Sequence, residues 1–170
     1  MEDKDENIHG DHDASNPRER KYLSFPLGSE EYGIGIIKVK EIIGMIQVTR
    51  LPQTPDYVKG VINLRGKVIS VIDLRLRFGM NSIDYSDRTC IVVVEIDSNS
   101  GSLRIGIVAD SVSEVLNIRR ADIEDTPSFG MTLSTQYILG IAKTTGTVRI
   151  LLDIDRVLNS DELETLDGVA

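Results

Sequence analysis

The chain has 170 residues, of which 41% are hydrophobic and 27% are charged, as in an ordinary globular protein. Its net charge is −8, which argues against a nucleic-acid partner because such proteins need clustered lysine and arginine. The single cysteine excludes an intramolecular disulfide, and its place in an apolar run (Cys90, within Thr89–Val94) predicts a buried thiol.

The first 20 residues differ in composition from the rest of the chain. They contain seven acids and three bases, and Ile8 is their one aliphatic residue longer than alanine. Burial of so little apolar surface cannot offset the entropy of ordering the segment, so we predict a flexible acidic tail. His9 and His12 lie in this tail and are interpreted as solvated residues. No apolar signal core or run of about 20 apolar residues is present, which favours a cytoplasmic protein.

From Lys21 the large apolar residues Leu23, Phe25 and Leu27 recur at every second position, which is typical of a half-buried strand. Pro26 indicates a strand end or edge. Residues 32–36 predict the returning strand, while residues 38–43 fit either a helical turn or a short strand. Two later apolar runs, joined through Arg65 and Gly66, predict a hairpin: residues 61–64 and 68–74.

The second half of the chain repeats this plan from about residue 88. A β-branched strand, a turn at residues 98–101 and a returning strand come first. An offset of 80 then pairs residues of the two halves: Gly60 with Gly140, Val61 with Ile141, Gly66 with Gly146, Val68 with Val148 and Asp73 with Asp153. Two copies predict duplicated small barrels or packed sheets. A last helix is expected beyond Asn159, with Leu158, Leu163 and Leu166 on one face.

No catalytic centre is indicated. The region after the tail has no histidine, and its cysteine lies in a predicted strand. Asp73 follows a strand as a phosphate-accepting aspartate would, but it lacks an acidic pair and a βα alternation. Asp73 and Asp153 are therefore interpreted as caps of short helical segments. We expect no enzymatic activity, no metal and no cofactor.

Several motifs together resemble the CheW family of bacterial chemotaxis coupling proteins, across residues 21–168. The most specific are Glu31-Tyr32-Gly33-Ile34, Lys59-Gly60-Val61-Ile62-Asn63-Leu64-Arg65-Gly66, Val71-Ile72-Asp73-Leu74-Arg75 and Val112-Ser113-Glu114-Val115-Leu116.

The resemblance implies an all-β fold of two SH3-like five-stranded barrel subdomains, with short helical segments and a C-terminal helix. The acidic tail would cover residues 1–20, and the second barrel would begin near residue 88. The implied function is a non-enzymatic scaffold that couples methyl-accepting chemoreceptors to the histidine kinase CheA through a CheW-like domain of the kinase. It would lie in the cytoplasm, be recruited to receptor arrays, and neither insert into the membrane nor bind nucleic acid.

Candidate binding residues follow from the hairpin and from the resemblance. Arg65 is a long cation at a hairpin turn, and its repeat counterpart is Thr145, so a barrel does not require arginine there. Glu41 is expected beside it. The full receptor-binding set is Val39, Glu41, Ile42, Gly60, Arg65, Val68 and Val115. Phe129 is the candidate kinase contact. Two alternatives stay open: an allosteric small-molecule sensor with a ligand between the barrels, and a paralogous adaptor for a different receptor array.

Overall fold

The computed structural model of this protein describes residues 19–98, 101–125, 137–144, 146–158 and 162. Strands dominate this part of the chain. In chain order they are β1 (Glu19–Leu27), β2 (Glu30–Gly35), β3 (Val39–Gly44), β4 (Val58–Leu64), β5 (Lys67–Asp73), β6 (Cys90–Ser98), β7 (Gly101–Ala109), β8 (Glu114–Arg119), β9 (Ile123–Glu124), β10 (Ile138–Thr144) and β11 (Thr147–Leu152). Short helical segments connect them, namely α1 (Leu74–Arg77) and 3-10 turns at Ile36–Lys38, Arg120–Asp122 and Ile154–Arg156.

The strands form two sheets that exchange hairpins between the repeats. The first has the order β3-β6-β7-β5-β4, and the second has the order β8-β1-β2-β11-β10-β9. The β1–β2 hairpin of the first repeat pairs with β8 and, in parallel, with β11 of the second repeat. Conversely, the β6–β7 hairpin pairs with β3 and, in parallel, with β5. Each sheet therefore contains strands of both repeats.

Both sheets close into barrels at equivalent points. In the first barrel, Thr49 and Val61 exchange two backbone hydrogen bonds of 2.8 Å, which join the chain after β3 to β4. In the second barrel, Glu124 of β9 pairs with Ile141, which lies 80 positions after Val61. The all-β class and the two-barrel architecture are thus confirmed. The two-residue strand β9 adds a sixth strand to the second sheet.

The expected boundary near residue 88 is wrong as a division between the barrels. The first barrel uses residues 39–109 without interruption, whereas the second takes β1 and β2 from the start of the chain. The cause is the hairpin exchange. The first hairpin of each repeat pairs with the later strands of the other repeat, so neither barrel is built from one half of the chain. Strand β1 also begins at Glu19, so it includes two residues assigned by sequence to the tail. Residues 1–18 lie outside the described part, as do residues 159–161 and 163–168 of the expected last helix.

Strand β1 contributes to two different cores. Leu23, Phe25 and Leu27 join the large central cluster, which also includes Val92 and Val94 of the first barrel. Tyr22 joins the interior of the second barrel. Residues 22–25 are all buried, so the prediction of a half-buried strand is wrong. Both faces of β1 are covered because the exchange places this strand between the second barrel's interior and the first barrel.

Other local predictions are confirmed. Asp73 Oδ1 accepts a hydrogen bond from the backbone N–H of Arg75 at 2.9 Å, and Asp153 Oδ1 accepts one from Asp155 at 3.2 Å, so both aspartates cap the following turn. Cys90 is buried, and burial raises the pKa of its thiol. Pro26 pairs with β2 alone, because pairing between β1 and β8 ends at Ser24. No helix in the described ranges is long and apolar enough to cross a membrane.

Arg77 lies where the two repeats meet. Its guanidinium carbon is 4.9 Å from the ring centroid of Tyr57 and 5.2 Å from that of Tyr137, and these tyrosines are 80 positions apart. Its Nε donates to the carbonyl of Val157 at 2.8 Å, and its Nη2 donates to Glu162 at 3.0 Å. The Tyr57 hydroxyl donates to the same carboxylate at 2.6 Å. This single side chain therefore contacts both repeats and the C-terminal segment.

Candidate functional site

The β4–β5 hairpin turns on only two residues. Leu64 pairs with Lys67, which leaves Arg65 and Gly66 as the loop. Their φ angles are +51° and +86°, as a type I′ turn requires. The side chain of Asn63 supports the turn by accepting a hydrogen bond from the Gly66 N–H at 2.8 Å. The hairpin geometry therefore fixes the point from which the Arg65 side chain leaves the barrel.

Arg65 reaches the neighbouring strand β3, where its guanidinium forms an ion pair with Glu41. The Arg65 side chain is 67% exposed and that of Glu41 is 27% exposed, so the pair lies at the surface. The hydrogen bond from Arg65 to Glu41 raises the pKa of the guanidinium. A partner protein could reach the cation without any rearrangement of the barrel. The expectation that Glu41 lies beside Arg65 is confirmed.

Apolar side chains are exposed on the same two structural units. Ile42 follows Glu41 on β3 and is 44% exposed, and Val68 lies just after the hairpin turn on β5 and is 47% exposed. We call Glu41, Ile42, Arg65 and Val68 the hairpin surface. Val39 differs from them, because it is partly buried and packs against the central core. Arginine is enriched at protein interfaces, and the exposed aliphatic side chains on β3 and β5 offer apolar area to bury.

The remaining candidate residues lie elsewhere. Gly60 is buried at a φ of +140°, and a Cβ built there would be 2.0 Å from the carbonyl oxygen of Thr49. This glycine is therefore needed for barrel closure and supports the hairpin surface from behind. Val115 is 50% exposed on β8 of the second barrel, where it is the repeat counterpart of Ile42. Phe129 lies outside the described residues.

Residues 21–162 match the family model described as the CheW-like domain. The chain belongs to this family.

Relatives with the CheW name cover most of its length. The chain is 43% identical over 151 residues to the chemotaxis protein CheW of Klebsiella aerogenes, a match that spans 89% of each sequence. It is 34% identical over 154 residues to CheW of Helicobacter pylori, again across 89% of each. Its fold is similar to the crystal structure of the scaffolding protein TtCheW from Thermoanaerobacter tengcongensis, with a TM-score of 0.75 and 35% identity over 84% of this chain and 94% of that one. These comparisons support a chemotaxis scaffold and do not favour a small-molecule sensor.

This CheW-like chain also has a groove at one end of the second barrel that sequence analysis missed. Its volume is about 780 Å³, and we call it the end groove. The lining residues come from the first residues of β1, the turn after β2, the β8–β9 segment, β10, and the end of β11 with the turn that follows it: Glu19–Tyr22, Gly35–Lys38, Ile118, Arg120, Ile123, Asp125, Leu139 and Leu151–Asp155. Ile37 is 73% exposed and Leu139 is 52% exposed. Both residues lie in apolar runs, for which sequence patterns predict burial. The sequence therefore contained no sign that these two side chains are exposed while their apolar neighbours are more buried.

Proposed function

We propose that this CheW-family protein is the coupling scaffold that joins the cytoplasmic tips of chemoreceptors to the histidine kinase CheA, without catalysing a reaction itself. It acts in the cytoplasm at membrane-associated receptor arrays. The kinase is bound through a CheW-like domain of its own, and Phe129 is the proposed kinase contact.

The observation that carries this proposal is the exposed Arg65–Glu41 pair beside Ile42 and Val68 on a rigid barrel. The aliphatic side chains offer area to bury, and the ion pair offers orientation. A two-residue turn fixes the Arg65 backbone and the ion pair with Glu41 restrains its side chain, so less freedom is lost on binding. We propose that this hairpin surface, with Val115 of the second barrel, binds the receptor tip, and that Val39 and Gly60 position it.

The decisive experiment measures receptor and kinase binding separately on one variant. We expect Arg65→Ala to leave the thermal unfolding midpoint unchanged, because its side chain is exposed and pairs only at the surface. Affinity for a receptor cytoplasmic fragment should fall by about five-fold or more, as for an interface anchor. Affinity for the kinase should not change.

Arg104→Ala is the matched control. Arg104 is also an exposed arginine in a surface pair, with its Nε 3.6 Å from a carboxylate oxygen of Glu95, but it lies on β7 away from the hairpin turn. This control should bind both partners normally. Unchanged receptor affinity in Arg65→Ala would remove Arg65 from the site. Failure of the unaltered protein to bind either partner would contradict the scaffold function as a whole.

A further inference from the structure

The end groove combines apolar exposure with unpaired positive charge. Arg20 and Arg120 are both exposed and close enough to Tyr22 to favour ionisation of its hydroxyl, although burial raises the pKa of Tyr22 overall. Within the described ranges neither arginine has a hydrogen-bonded or ion-paired carboxylate. Arg119, by contrast, pairs with Asp122 at 3.1 Å. Among the described residues, two cations therefore lie beside the apolar rim without an ion-paired carboxylate.

Two of the four acids that line the groove are engaged by other residues. Asp155 forms an ion pair with Lys38 at 2.8 Å, and Asp153 caps a turn and lies 3.4 Å from Arg156. Glu19 and Asp125 remain, and Glu19 contributes to the raised pKa of Arg119. The part of the groove nearest Tyr22 is consequently suited to an anionic segment with some apolar content.

The N-terminal residues of this chain have that composition and are covalently joined to a residue that lines the groove. Glu19 lines the groove, and residues 1–18 precede it directly. They carry six acids, at positions 2, 3, 5, 6, 11 and 13, against two bases, at positions 4 and 18. Asp11 and Arg20 are nine positions apart, a span of at most about 32 Å when fully extended, so the chain is long enough to turn back. Tethering gives a short segment a local concentration in the millimolar range, so even weak contacts would be populated.

We propose that residues 2–13 dock reversibly on the end groove, with their carboxylates against Arg20 and Arg120. The docked segment covers Ile37 and Leu139 and competes with any protein that binds there. The acidic stretch is thus an internal competitor for one face of the second barrel. This inference does not depend on the hairpin surface or on its partners.

The experiment places a nitroxide label on the acidic stretch of the full-length chain. Asn7→Cys introduces the labelling site, and the native thiol of Cys90 is buried with a raised pKa, so it reacts slowly. Broadening of backbone amide resonances by the label is then measured for Ile37, Leu139 and Arg120, and compared with that of Val68 on the first barrel. We expect the broadening to concentrate in the end groove.

Charge variants test the proposed contact from both sides. The double variant Arg20→Glu/Arg120→Glu should lose the groove broadening, as should Asp11→Asn/Asp13→Asn, which changes none of the residues that line the groove. About 1 M salt, where the screening length is about 3 Å, should have the same effect. The Arg88→Glu variant should keep the groove broadening, because Arg88 is an exposed arginine outside the groove. Broadening spread evenly over both barrels, or unaffected by either double variant, would overturn the proposal.

Discussion

Replacement of Arg77 by methionine tests whether one side chain joins the two repeats. The variant keeps an unbranched apolar stem but removes the contacts with Tyr57 and Tyr137 and the hydrogen bond to Val157. It also leaves the Glu162 carboxylate with the Tyr57 hydroxyl as a remaining donor.

The expected loss follows from these contacts. The Arg77 side chain is only 14% exposed, so its interactions are little screened by solvent. A hydrogen bond from a charged donor contributes about 1.5–3 kcal/mol, and each cation–π contact contributes about 0.5–1 kcal/mol. Because such terms overlap, we expect a loss of about 3 kcal/mol in the free energy of unfolding. For a domain of this size that corresponds to a fall of about 6–12 °C in Tm.

Urea unfolding followed by circular dichroism measures this loss. The midpoint should fall by about 1–2 M while the slope m stays constant, since the surface exposed on unfolding does not change. The Arg77→Lys variant should lose an intermediate amount of unfolding free energy. Lysine keeps the positive charge but has no planar guanidinium to place between the two tyrosine rings. Arg104→Met is the control, with a surface pair of similar chemistry but 47% exposure. A loss in Arg77→Met no larger than in this control would refute the reasoning.

Three further predictions concern the barrels and the tail. Gly60→Ala should cost about 3 kcal/mol in urea unfolding, because the added Cβ would collide with the Thr49 carbonyl at a strained φ; stability equal to the parent would contradict this. Tyr57 and Tyr85 have raised pKa values, caused first by burial and then by their acidic neighbours, so the folded state holds protons that the unfolded state releases above about pH 10. Stability should therefore decline as pH rises above about 10, and Tyr57→Phe should make the decline shallower. Deletion of residues 1–18 should leave Tm and affinity for both proposed partners intact; lost binding to either would give the tail a role in that interface.

Much of the candidate site could be anticipated from the sequence because it depends on local rules. A long cation beside a glycine between two strand-like runs predicts an exposed hairpin tip, and Thr145 at the repeat counterpart of Arg65 indicates that the barrel itself does not require an arginine there. The proximity of Glu41 and Arg65 needed the family resemblance as well. Val39 and Ile42 lie three positions apart and so on opposite faces of β3, but the sequence could not show which of the two is exposed, since both are aliphatic and residues 38–43 fitted a helical turn equally well.

The sequence by itself determined the strands, the turns and the duplication, since β-branched runs, positive-φ glycines and aspartate caps act within a few residues of one another. The 80-residue offset carried the same features into both halves, from the positive-φ glycines Gly66 and Gly146 to the caps Asp73 and Asp153. Only the tertiary structure decided which hairpin completes which barrel. Parallel pairing of β2 with β11 and of β5 with β7 joins segments distant in the chain, and both repeats offer hairpins of similar apolar pattern. The exchanged pairing is therefore decided by how well all the side chains of the central core pack together. In that core, Leu23 and Phe25 of one repeat lie in the same cluster as Val92 and Val94 of the other.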